Sequence, residues 1–363
     1  MTPVEREKLN RFHIALMVFN TQSGAVLFTL PRLTAHDFGT NGWLMILPMF
    51  VLVTLNIMLI SAVYRMGRGQ SIFDILSASL PRFLLIPLYV LLWGLFSMIG
   101  CLVIKQYALI YQMLIFPATS DLILKIFVDV LVVLYITKGI YTMSKANVIF
   151  SLLLLLQIPL IVLFVQEFDL SRLTPFLFKE GADMYQGLNN LYGAFLGYEL
   201  CLFLFPYAEK NKKWLKYIHL GNGITLFVYL LVSIMAYGFF GHYALVHSSF
   251  PILDMYAYLR FPFIERIQNF LFSLFLFSIV QTAGMYYWSG QEALGQVFPK
   301  IPWKVLVFVS MVATLPVGII PKTLIVVEAW FKYFTYVQIG VAFGFPLLLI
   351  LLLLVQRRLK KHA

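Results

Sequence analysis

Gly193-Ala194-Phe195-Leu196-Gly197-Tyr198-Glu199 interrupts an apolar run that ends at Pro206. Gly and small residues weaken a helix here, and proline prevents its simple continuation. Within the run stands an acid, Glu199, with Leu196, Tyr198, Leu200, Leu202, Phe203 and Phe205 around it. A second stretch has the same character: Asn20-Thr21-Gln22-Ser23-Gly24-Ala25-Val26 interrupts an apolar run ending at Pro31-Arg32. Exposed backbone is not tolerated against lipid, so such breaks must face protein or a wet cavity.

The runs around these breaks are membrane-spanning. The 363 residues are 61% hydrophobic and 12% charged, with a mean hydropathy of +0.87. A soluble chain carries about 25% charged residues, so a water-soluble fold is excluded. Ten apolar segments are expected, at about 12–32, 41–64, 83–115, 122–138, 146–166, 188–208, 217–241, 264–288, 304–320 and 330–355. The chain thus reads as an all-α integral membrane protein with ten transmembrane helices in one membrane domain, residues 1–363, in contact with the lipid bilayer throughout. Its first span follows a short polar N-terminus without a cleavable-signal pattern, and is expected to be retained.

Charge placement sets the expected orientation. Most of the 27 Lys and Arg fall in one set of loops and tails: Arg6, Lys8, Arg11; Arg65, Arg68, Arg82; Lys138, Lys145; Lys210, Lys212, Lys213, Lys216; Lys300, Lys304; Arg357, Arg358, Lys360 and Lys361. Positive loops stay inside, which puts both termini in the cytoplasm. The net charge of +11 therefore serves orientation, and no nucleic acid is expected as a partner. The loop at about 167–187 is a short amphipathic lid or a connector.

Breaks in spans one and six correspond in a five-plus-five inverted repeat, with repeat one at about 12–166 and repeat two at about 188–355. That arrangement puts a binding site at mid-membrane between them. Unwinding frees N–H groups on one half-helix for a carboxylate and C=O groups on the other side for an ammonium or cation. A zwitterion such as an amino acid fits that pair. The plainer alternative is that the glycines only permit close helix packing.

Glu199 is the sharpest single candidate, since a central acid costs a few kcal/mol in a bilayer. It is protonated and neutral, accepts from a ligand amine, or locks the two broken helices together. Lys105 and Asp129 are further deep charges. Gln281-Thr282-Ala283-Gly284 in span eight supplies an opposing wall, and Gln157 in span five is similar. Tyr107 and Tyr111, one turn apart, are placed to close the cavity from outside. His36-Asp37 reads as a solvated loop pair without a nucleophile. No zinc motif, phosphate loop or nucleophile elbow occurs, so neither an enzyme, a metal nor a cofactor is expected. Cys101 and Cys201 read as small hydrophobes.

GAVLFTLPR at 24–32, and GAFLGYELCLFLFPYAEKNKK at 193–213 with its FLGYE-x-x-LFLFP pattern, resemble the B-subunit family of spore germination proteins, within the amino acid/polyamine/organocation permease superfamily. The resemblance covers essentially the whole chain. It implies a leucine-transporter-type fold with broken helices 1 and 6. It also implies the nutrient-sensing subunit of a spore germinant receptor in the spore inner membrane, with an A subunit and a C-subunit lipoprotein as partners. The ligand so implied is a small nutrient, an amino acid first, with sugar or nucleoside as alternatives. A secondary amino-acid transporter on the same fold is the competing reading. Ligand contacts are expected from Thr21, Gln22, Ser23, Gly24, Ala25, Val26, Phe195, Leu196, Gly197, Tyr198 and Glu199, joined by Tyr107, Gln281 and Thr282. Two features depart from related permeases. Gly24-Ala25-Val26 lacks a second glycine, and span five has no interior Lys, so proton coupling is not carried over.

Overall fold

The computed structural model describes residues 8–173, 177–209, 212–260, 262 and 265–362. Arg6 and Lys210 of the orientation argument, and residue 264 where the eighth span was expected to start, lie outside the described residues.

Among the described residues the chain is helical, apart from one isolated bridge between Leu9 and Ala208. The first span is two helices, α1 (Arg11–Gln22) and α2 (Val26–Phe38), bent by 55°. Asn10 opens α1 by accepting from the Phe12 N–H at 3.0 Å, the role of an N-cap. Helices α3 (Ile46–Met66), α4 (Ile72–Ser77), α5 (Arg82–Leu114) and α6 (Asp121–Ile136) follow. The fifth span comprises α7 (Ile140–Leu155) and α8 (Gln157–Val162).

The sixth span begins with α9 (Met184–Ala194), where Asp183 caps the N–H groups of Tyr185 and Gln186. It breaks over Phe195–Gly197 and resumes as a 3₁₀ turn, Tyr198–Leu204. Beyond it lie α10 (Leu215–His247, kinked at Gly241), α11 (Pro251–Ala257), α12 (Ile267–Leu274), α13 (Leu276–Val297), α14 (Trp303–Ile319) and α15 (Leu324–His362).

Among the described residues six helical segments are long and apolar enough to cross a membrane, and the bent α1–α2 pair makes a seventh. Shorter segments α6, α9 with its 3₁₀ turn, and α14 occupy the remaining expected span positions. Each expected span thus has a helical counterpart. Boundaries differ by several residues: the eighth and tenth spans extend to Val297 and His362, and the first runs on through Pro31 to Phe38. His36-Asp37 is therefore the last turn of a helix and not a loop. The Asp37 side chain is only 7% exposed.

Apolar side chains such as Phe83, Leu91, Ile123 and Phe308 face outward, as a bilayer allows. Inside, α13 packs most extensively against α5, and α1 against α10. The two deep charges are paired: Lys105 with Asp121, and Asp129 with Lys125 at 2.6 Å. Both ends of the described chain lie at one end of the bundle. There Leu9 meets Ala208, Arg11 pairs with Glu209, and Arg357 donates to the Met66 carbonyl. The connector at 167–187 docks on the opposite end, through Asp169 N–H to Gly238 and Thr40 N–H to Lys179.

Candidate ligand cavity between the helix breaks

The two breaks touch. Gly197 adopts φ 116°, and a Cβ there would lie 2.8 Å from Thr21 Cγ2. Only glycine permits both that backbone conformation and that approach. Gln22, at the end of α1, donates to the Phe195 carbonyl at 2.8 Å and to Asn222 at 3.1 Å, while it accepts from Thr225 at 2.7 Å. The Tyr229 hydroxyl reaches the carbonyls of both Gln22 (2.8 Å) and Ala194 (2.7 Å). Several carbonyls that unwinding was expected to free for a ligand are thus occupied by this chain's own donors.

The N–H groups are different. Among the described residues, none accepts from the N–H of Gly24, Ala25 or Val26, at the start of α2. These donors stand at a helix N-terminus, which favours an anion.

Beside them lies a cavity of about 500 Å³. Its deep end is lined by Thr21, Gln22, Gly24, Ala25 and Val26 of the first break, Ala194 and Leu196 of the second, and Thr282, Tyr286 and Gln338. Its mouth carries Arg32 and Asp37 on α2, and Glu328 and Lys332 on α15. All of these outer residues lie away from the end of the bundle that holds the termini. Asp37 is held by His36 at 2.8 Å and by Asn190 at 3.0 Å, which ties α2 to α9.

Seven of the fourteen sequence-derived candidates therefore line the cavity: Thr21, Gln22, Gly24, Ala25, Val26, Leu196 and Thr282. Ser23, Phe195, Gly197, Tyr198 and Glu199 are buried behind its wall. Glu199 accepts from the Gly197 N–H at 2.8 Å and from the Gln338 amide, and Gln338 in turn donates to the Tyr286 hydroxyl at 2.7 Å. Tyr198 is bonded to Tyr192.

The other two candidates lie away from the cavity. Tyr107 stacks on Phe272 and Tyr111 and donates to the Phe272 carbonyl, so these tyrosines pack against α12 instead of closing the cavity. Gln281 accepts from the Tyr135 hydroxyl. Among the described residues, no three His, Cys, Asp or Glu gather as a metal site.

Sequence reading passed over Tyr286, Gln338 and the charged mouth. Gln338 had a usable signal, as a lone amide in an otherwise apolar stretch of α15.

The sequence profile described as "Spore germination protein" matches residues 8–324. The chain belongs to the spore germination protein family. Relatives include spore germination protein GerQB of Bacillus cereus, 23% identical over 309 residues, covering 81% of this chain and 82% of that protein. Spore germination protein A2 of Bacillus subtilis is 25% identical over 303 residues, covering 80% and 81%.

Among solved structures, this spore germination family chain is similar to Mhp1, a nucleobase-cation-symport-1 family transporter in a closed conformation with bromovinylhydantoin bound. The TM-score is 0.69 at 16% identity, over 97% of this chain and 80% of that one. A Na⁺-coupled sialic acid symporter in a substrate-bound, outward-open state gives 0.65 at 12%, over 93% and 78%. The fold is thus of the leucine-transporter type. As a spore germination family member the chain is a multi-pass membrane protein and not an enzyme.

Proposed function

We propose that this chain is the nutrient-sensing subunit of a spore germinant receptor, and that it binds a small nutrient in the cavity between the helix breaks. An amino acid is the first choice; sugars and nucleosides are the alternatives. The partners are an A subunit and a C-subunit lipoprotein, and the location is the spore inner membrane. One observation carries the reading: in a spore germination family chain, both breaks meet at the deep end of a cavity of about 500 Å³.

In this reading a ligand carboxylate takes the N–H groups of Gly24, Ala25 and Val26. Both donors of the Gln338 amide are engaged, by Glu199 and Tyr286, so its carbonyl oxygen is left to meet the ligand ammonium. Thr21, Gln22, Leu196 and Thr282 complete the contacts. Ser23, Phe195, Gly197, Tyr198 and Glu199 shape the wall, and Tyr107 and Gln281 hold neighbouring helices. The chain forms one membrane domain of two repeats, with cytoplasmic termini, so the cavity opens outward, where nutrients arrive. A ligand touching α2 and α15 together favours the state in which those helices are closest, and that shift is the signal.

The likeness to symporters favours a second reading, a secondary amino-acid transporter. Binding and uptake of labelled alanine, valine, asparagine, proline and glucose, measured together in proteoliposomes, decide between them. Saturable binding without accumulation is the result expected of a sensor. Accumulation that scales with internal volume would make the chain a transporter.

A further inference from the structure

A second cleft, of about 660 Å³, lies at the end of the bundle that carries the termini, between α3 and the start of α10. On α3 its wall is Met58, Ser61 and Arg65, spaced three and four residues apart and hence on one face. Lys213, Lys216 and His219 face them from the other side. Along α3 the wall changes from apolar to cationic over about 10 Å, seven residues at 1.5 Å each. The depth profile is that of a phospholipid, with a charged phosphate at the surface and an acyl chain beneath.

Charge balance around the cleft is positive. Among the described residues neither Arg65 nor Lys216 has a carboxylate partner, and the neighbouring acid Glu209 is held by Arg11 at 2.8 Å. Arg357 adds a further cation, donating to the Met66 carbonyl beside Arg65. The N-terminal end of the long α10 helix contributes partial positive charge in the same direction.

A separate observation points to an occupant. Ser61 is 6% exposed and lines the cleft, and among the described residues its hydroxyl has no hydrogen-bond partner. Buried hydroxyls are ordinarily satisfied, so an orphan on a cationic wall suits a ligand oxygen.

We infer that this cleft is a binding site for the phosphate headgroup of an acidic glycerophospholipid, with its acyl chain along Met58. Basic pockets between membrane helices on the positively charged side are suited to such headgroups. Bound there, the lipid bridges α3 and α10. Those helices also meet deeper in the bundle, where Asn222 donates to Thr54 at 3.2 Å.

Native mass spectrometry of the full chain, titrated with phosphatidylglycerol, phosphatidylcholine or inorganic phosphate, tests the site. Phosphatidylglycerol should bind at least tenfold more tightly than phosphatidylcholine. The Arg65→Gln/Lys216→Gln double variant should lose most of that preference, and Lys300→Gln/Lys304→Gln, which removes two cations elsewhere, should keep it. Should the first pair fail to fold, Ser61→Leu fills the headgroup position without removing charge and should lower the preference in the same way. Equal binding of the two lipids, or a preference lost equally in the Lys300/Lys304 pair, would overturn the site. Displacement of the lipid by millimolar inorganic phosphate would identify a free-anion site and overturn the lipid assignment.

Discussion

Glu199 does not reach the cavity, but Gln338, which does, hangs from it: the amide of Gln338 donates to one carboxylate oxygen while the Gly197 N–H donates to the other. Both partners are donors. In Glu199→Gln the new amide meets one of them with its own NH₂ group, whichever way it is turned. A mispaired buried donor costs about 1–3 kcal/mol, and about 1.4 kcal/mol is tenfold in binding. The expected outcome is a nutrient dose response displaced tenfold or more to higher concentration, with the protein still accumulating. An unchanged dose response at normal protein level would take Glu199 and its latch out of the sensing mechanism.

The glycines of the two breaks should respond in opposite ways to alanine. At Gly197, φ is 116° and a Cβ would press on Thr21 at 2.8 Å, so Gly197→Ala strains the backbone and pushes the breaks apart. Loss of folded protein is expected there. At Gly24 the nearest atom to a new Cβ is Thr282 Cγ2 at 3.6 Å, an ordinary contact. Gly24→Ala should therefore accumulate normally while narrowing the cavity, and the dose response of larger nutrients should suffer more than that of small ones. Detergent-solubilised yield and germination curves measure the two effects. Equal yields for both variants would mean that the breaks do not depend on the contact at Gly197.

How far the sequence reached depends on which property was being read. Breaks at Gly24 and Gly197 were legible because glycine and small polar residues weaken a helix whatever surrounds them. The spans were legible for the same local reason. Which way each helix faces was not. In an apolar membrane helix, hydropathy barely distinguishes the lipid side from the core side. Tyr107 was therefore assigned to the cavity when it stacks on Phe272, and Gln338 was passed over. Lys125 was missed too, because its charge is hidden only by Asp129 one turn along. His36-Asp37, which reads as a solvated loop pair beyond the apolar run, is instead the last turn of α2, which continues through Pro31.

Tyr229 should prove a structural clamp on both breaks. Its single hydroxyl proton is shared between the Gln22 and Ala194 carbonyls, at 2.8 and 2.7 Å. Tyr229→Phe keeps the ring packed edge-on against Phe195 but deprives two buried acceptors of their donor. The cost is about 1–3 kcal/mol. A fall of several degrees in thermal stability is expected, larger than that of Tyr107→Phe, which removes one donor from one carbonyl at 3.3 Å. Nutrient responsiveness should be retained among folded molecules. Equal melting temperatures for Tyr229→Phe and the unaltered protein would refute the clamp.

Lys125 and Asp129 test whether a buried charge pair away from the cavity is anything more than packing. The pair is one turn apart on α6, 2.6 Å in separation, with side chains 0% and 4% exposed. Its order, base before acid, is the less favourable one on a helix. Among the described residues the second Asp129 oxygen has no hydrogen-bond partner. Such a pair gains little over an apolar replacement, but breaking it strands a charge, at about 3–5 kcal/mol. Asp129→Leu alone should therefore destabilise severely. Lys125→Met/Asp129→Leu should melt at or above the temperature of the unaltered protein, because the long Lys125 stem already packs as an apolar chain against Gly318. If the pair is only structural, the double variant also keeps its nutrient response. A double variant that is stable yet unresponsive would instead place this pair, remote from the cavity, in the signalling route.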